Sequence, residues 1–177
     1  MQASFDMPDR IEGLVVGDVA PVDYSTFDLN NYDIVCFMSE MDIQSMATRE
    51  NAKEILMRQV GGKNPNAVAE FLLTNLSDNS NGKLTWNINL RGLRDEYEEY
   101  ARYTPDKSSK YDGPVNVIYG TRSEYMPPRI FPEFKKYFPN IDLDKDFKPI
   151  VGGHWIHLTN PELFLLHVKE FMDRLTK

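Results

Sequence analysis

The residue types from which proton-transfer chemistry is built stand near two ends of this sequence. In Gly152-Gly153-His154-Trp155-Ile156-His157 a short apolar run, Lys148–Val151, gives way to two glycines and then a histidine. Paired glycines let the backbone turn sharply, which puts His154 in the loop beyond a strand, where α/β sheets hold their ligands. A free imidazole titrates near neutrality, so a histidine there is suited to act as a general base; a satisfied loop histidine is the plainer reading. Asp18 repeats the arrangement, just past the run Leu14–Val16, with Pro21 fixing the loop beyond. An acid so placed orients a histidine and stabilises the imidazolium it becomes, or else it caps backbone N–H groups. Glu124, in Gly120-Thr121-Arg122-Ser123-Glu124-Tyr125, competes for the same duty. Only one acid can occupy the Nδ1 side of the ring.

A nucleophile is harder to find. The serine of an α/β-hydrolase elbow needs a glycine two residues away on each side, because the strand–turn–helix bend leaves no room for side chains. None of the nine serines has that setting. The nearest approach, Asp78-Asn79-Ser80-Asn81-Gly82, lacks the first glycine and follows a helical stretch, so a turn is expected there. Cys36 sits in an apolar stretch and reads as a small buried hydrophobe. His154 and His157 form an H-x-x-H, but zinc takes three or four protein ligands and nothing nearby completes the set, so no metal is expected. A glycine-rich phosphate loop is also missing, and no cofactor is expected.

Three elements must position these groups. Leu14–Val16, Val115–Tyr119 and Lys148–Val151 read as short buried strands set off by glycine and proline, and helical stretches between such strands predict a parallel sheet. The last helix is the clearest: Asn160 or Thr159 can cap it, Pro161 fits its first turn, and Phe164, Val168, Phe171 and Leu175 recur at helical spacing. Residues 47–60 and 65–76 also read as helices, and 86–103 mixes apolar positions with the acidic run 95–99, a solvated face. The separation of the first two strands far exceeds one crossover, so a mainly helical insertion over residues 25–110 is expected, with a lid as its natural role. Residues 1–24 and 111–177 would then form the sheet domain. Met38, Met41 and Met46 read as lid packing.

Composition narrows the partners. Twenty basic residues against 27 acidic ones give a net charge of −7, the wrong sign for neutralising nucleic-acid phosphates or anionic membrane surfaces. No apolar run approaches the roughly 20 residues of a spanning helix, and the opening Met1-Gln2-Ala3-Ser4-Phe5-Asp6 lacks a signal peptide's basic start. A single cysteine excludes an internal disulfide and favours a reducing compartment.

The block Gly152-Gly153-His154-Trp155-Ile156-His157-Leu158-Thr159-Asn160-Pro161-Glu162 resembles the catalytic-histidine segment of α/β-hydrolases. With Val15–Tyr24, Phe71–Leu76, Trp86–Leu90 and Val117–Gly120 in the same order, the chain resembles the α/β-hydrolase-domain-11 esterases, and especially a fungal mitochondrial branch that includes ethanol acetyltransferase. The resemblance implies an α/β fold, the C-terminal part of an α/β-hydrolase with about three parallel strands, flanking helices and a helical lid. It assigns the acid to Asp18, over Glu124, and the base to His154. It also implies a ping-pong acyl transfer on a small ester or thioester, water or an alcohol as second acceptor, acetyl-CoA as a plausible acyl donor, and a mitochondrial location. Phe71, Leu72, Trp86 and Leu90 would serve as pocket wall or as core. The family's serine elbow and oxyanion segment lie upstream of the acid. The sequence therefore reads as the C-terminal half of an esterase without its nucleophile, one that would pair with an N-terminal half, or alternatively as a catalytically silent remnant.

Overall fold

The computed structural model describes residues 1–27, 29–60, 64–79 and 81–176. They fall into two compact units, residues 1–27 with 101–177 and residues 28–100. In the first, β1 (Leu14–Gly17), β4 (Val115–Gly120) and β5 (Phe147–Ile150) form a parallel sheet in the order β1-β4-β5. Val16 lies opposite Val117 and Ile118 opposite Lys148. Alternation of side chains across the pleat gives this sheet two apolar faces. Val16, Val117 and Phe147 pack with Phe134, Phe138 and Met126 on one face. Ile118 and Ile150 pack on the other with Ile156 and with Phe164 and Val168 of the last helix.

That helix, α9 (Pro161–Leu175), starts on Pro161 as expected, but no side chain caps it. The Asn160 amide instead donates to the Val151 carbonyl at 3.3 Å, tying the helix entry to the end of β5. The third strand runs one residue earlier than its apolar pattern suggests. Ile150 is its last paired residue, opposite Gly120, and Val151 is 72% exposed. Among the smaller helices of this unit are α1 (Gln2–Asp6), α7 (Phe134–Tyr137) and α8 (Ile156–Thr159). Residues 101–110 group with this unit, next to Tyr111, whose buried ring donates its hydroxyl to the Ile11 carbonyl at 2.8 Å.

The second unit holds α2 (Asn31–Glu40), α3 (Arg49–Val60), α4 (Pro65–Leu73), α5 (Leu90–Asp95) and most of α6 (Tyr97–Ala101). Its core gathers Met38, Leu56, Leu73 and Leu90, with Met41, Met46, Leu72 and Trp86 packed against them; Phe71 is 53% exposed. The unit is not helical throughout. The stretch 65–76 stops being helical at Leu73, and the antiparallel hairpin of β2 (Leu76–Asp78) and β3 (Leu84–Trp86) follows. Arg49 ties the helix end to the hairpin: its guanidinium donates to the Leu73 carbonyl of α4 and, at 2.9 Å, to the Leu76 carbonyl of β2. The expected turn is present at the tip, where Asn79 Oδ1 accepts from the Asn81 and Lys83 amides and Gly82 takes φ +70°; Ser80 lies outside the described residues. Cys36 is half-buried rather than buried, beside the Tyr32 hydroxyl. Asp95, Glu96, Glu98 and Glu99 are all exposed.

Candidate active site

Three neighbouring strands end at one edge of the sheet, and each delivers a polar group there. β1 ends at Gly17, and Asp18 follows with φ +51°, a left-handed conformation that aspartate tolerates better than most residues. Its N–H still donates to the Ile118 carbonyl of β4 at 2.8 Å, so the twist occurs while the backbone remains tied to the sheet. The turn drives the carboxylate inward, and Asp18 is only 1% exposed.

A buried carboxylate requires donors. Asp18 Oδ1 accepts from the Gly120 N–H at 2.6 Å. Oδ2 accepts from the Ser123 hydroxyl at 2.5 Å and lies 2.7 Å from Nδ1 of His154. An ionised carboxylate only accepts, so the ring proton belongs on Nδ1 and the lone pair of the neutral imidazole on Nε2. The His154 side chain is 39% exposed, against 2% for that of Asp18. An imidazole open to solvent and held by a carboxylate shielded from it is an arrangement that can act as a general base with its orienting acid.

The close fit of two loops makes this pairing possible. The Thr121 and Arg122 amides, just past β4, donate to the carbonyls of Ile150, at the end of β5, and Gly152, just past it, both at 2.9 Å. A Cβ on Gly120 would lie 2.2 Å from the Gly153 carbonyl oxygen and 2.8 Å from that of Gly152. Only glycine at 120 lets the histidine loop approach Asp18.

Of the residues singled out from sequence, Asp18 and His154 meet, while Glu124 is exposed. His157 is exposed as well, its ring edge-on to Phe164 at 6.2 Å. Among the described residues no group of three or more His, Cys, Asp and Glu side chains stands together as a metal site. Three neighbours went unnoticed in the sequence. Besides Gly120 and Ser123, Tyr125 stacks its ring on His154, with centroids 4.0 Å apart and planes 24° from parallel. Their one signal was position, directly after an apolar strand, where only Glu124 attracted notice.

No family model matches the chain. A solved structure of a marine microorganism esterase superposes with a TM-score of 0.83 at 23% identity, covering 95% of this chain and 63% of that one. A parallel sheet flanked by helices, with this likeness, defines the class: the chain has the α/β-hydrolase fold. Among curated relatives it is 29% identical over 174 residues to the sn-1-specific diacylglycerol lipase ABHD11 of Danio rerio, covering 98% of this chain and 53% of that protein. It is 28% identical over 167 residues to the esterase YbfF of Escherichia coli, covering 93% and 59% respectively. The chain thus spans a little over half the length of the curated relatives it matches.

Proposed function

We propose that this chain carries the acid–base half of an esterase or lipase, with His154 as general base and acid and Asp18 as the residue that fixes its tautomer. The contact of 2.7 Å between His154 Nδ1 and the shielded Asp18 carboxylate carries this reading. Kinship with ABHD11 and YbfF supports acyl transfer from small-molecule esters as the chemistry. In it, His154 Nε2 takes the proton of an attacking hydroxyl and returns it to the leaving alcohol. The buried serine of the site is not that nucleophile, because its hydroxyl serves Asp18 Oδ2 on the Nδ1 side of the ring, away from Nε2. The nucleophile and the oxyanion donors are assigned to a polypeptide segment outside this sequence, an N-terminal half that pairs with it. Water as second acceptor gives hydrolysis; an alcohol gives ester synthesis.

The test is hydrolysis of a p-nitrophenyl ester by this chain joined to an upstream segment bearing the serine elbow. His154→Ala is expected to lower kcat by about 10⁴-fold or more, and Asp18→Asn by about 10³–10⁴-fold with the fold retained. Full activity in His154→Ala would end the assignment. The chain by itself is expected to give no labelling with a fluorophosphonate, and a labelled serine would show that the nucleophile lies within these residues.

A further inference from the structure

We propose that Ser123 and Tyr125 are positioning residues for His154, Ser123 holding the Asp18 carboxylate and Tyr125 the plane of the imidazole. The proposal rests on His154 being the base, and it adds how the base is kept in place.

A carboxylate held through one oxygen can still swing about its Cβ–Cγ bond. Asp18 is held through both, Oδ1 by the Gly120 N–H at 2.6 Å and Oδ2 by the Ser123 hydroxyl at 2.5 Å. Ser123 is aimed in turn. Its oxygen accepts from the Tyr125 N–H at 3.1 Å, which leaves its own hydrogen for Asp18. The Tyr125 carbonyl accepts from the Tyr24 hydroxyl at 2.9 Å, and the Tyr24 oxygen accepts from the Ala20 N–H at 2.8 Å. One hydrogen-bonded chain therefore runs from the loop after β1, through the loop after β4, to the imidazole beyond β5. Burial pushes the Tyr24 phenol up to about 12, so this link stays a donor well above neutral pH. The Tyr125 ring, fixed by its own backbone bonds, lies against the imidazole at 4.0 Å. A side chain that is 39% exposed has room to swing outward, and the stacked ring opposes that swing. Residues 123–125 belong to no helix or strand, so backbone pairing alone does not hold them here.

The imidazole ¹⁵N shifts of His154, read by NMR on the chain labelled at histidine, test the proposal near neutral pH. The unmodified chain is expected to show the Nδ1–H tautomer in large excess. Ser123→Ala should lower the Nδ1–H to Nε2–H ratio by about 3–10-fold, the size of one ordinary net hydrogen bond. Ser123→Thr, which keeps the hydroxyl, should restore the ratio to within about 2-fold. Tyr125→Leu should broaden the ring signals, while Tyr125→Phe, which keeps the stacking, should not. A purely structural role would lower the melting temperature and leave these ratios alone. An unchanged ratio in folded Ser123→Ala overturns the proposal; should that variant not fold, unchanged ring signals in Tyr125→Leu do so. If the expected NMR changes appear but the joined protein hydrolyses no ester, the positioning stands and the esterase reading alone fails.

Discussion

Asp18 and Gly120 divide the work of forming the acid–base pair between a strained residue and an absent side chain. Asp18 accepts a left-handed backbone so that its carboxylate points inward. Gly120 supplies the space into which the histidine loop settles, its would-be Cβ meeting backbone carbonyls at 2.2 and 2.8 Å. Backbone atoms cannot rotate aside as a side-chain tip does, so the loop itself must move. Gly120→Ala is therefore expected to cost about 1–3 kcal/mol, the usual range for overpacking, and to separate His154 from Asp18. Thermal denaturation measures the first effect and the His154 Nδ1–H resonance the second. A variant with unchanged stability and an unchanged resonance would contradict the close approach. At this scale the sequence was partly legible. Asp18 and His154 could be picked out because each follows an apolar strand, a local pattern. Ser123 could not, since its partner is 105 residues away and a hydroxyl carries no sign of what it will bond.

Elements were legible where one face is buried along their length and obscure where they are short. The last helix shows its period in Phe164, Val168, Phe171 and Leu175, and that face packs the sheet, with Phe171 only 3% exposed. The β2–β3 hairpin has three residues per strand, too few for alternation to register, and its register is set by the Asn79 turn. The end of α4 is set by polar groups its apolar spacing does not show: Thr74 and Asn75 donate to the Phe71 and Leu72 carbonyls, and Arg49, on α3, donates to that of Leu73. Asn160, a residue type that usually caps, was drawn instead to Val151. Packing energies follow burial. Phe171→Ala is expected to destabilise by about 3–5 kcal/mol, and Leu56→Ala, at 0% exposure, by about 2–5 kcal/mol. Urea denaturation of each variant checks this. A loss below about 1 kcal/mol at either site would mean that the helix does not depend on that contact.

The molecule as a whole should respond to pH differently on its acid and alkaline sides. Asp23 and Asp142 accept hydrogen bonds that pull their carboxyls below the ordinary value of 3.8. They stabilise the folded chain above that value, and their contribution is lost as pH falls through the lowered values; both lie partly exposed at the surface, so the effect is weak. The phenols act in the opposite direction. Burial raises Tyr111 and Tyr119, and raises Tyr24 from 10.0 to about 12. Where a folded-state pKa exceeds the unfolded one, the unfolded chain loses its proton first, so stability is full below about 10 and declines as pH rises toward 12. Net charge, already −7 near neutrality, grows more negative over the same range and adds self-repulsion. The two causes separate in Tyr24→Phe, which keeps the repulsion but removes the ionisable phenol. Its urea midpoint is expected to be lower than that of the unmodified chain at pH 8, because the Ala20 N–H and Tyr125 carbonyl lose their partner. It is also expected to fall less steeply between pH 10 and 12. Equal slopes for the two proteins would mean that Tyr24 ionises as freely in the folded chain as in the unfolded one, and that the hydrogen-bonded chain beginning at Ala20 is not closed to solvent.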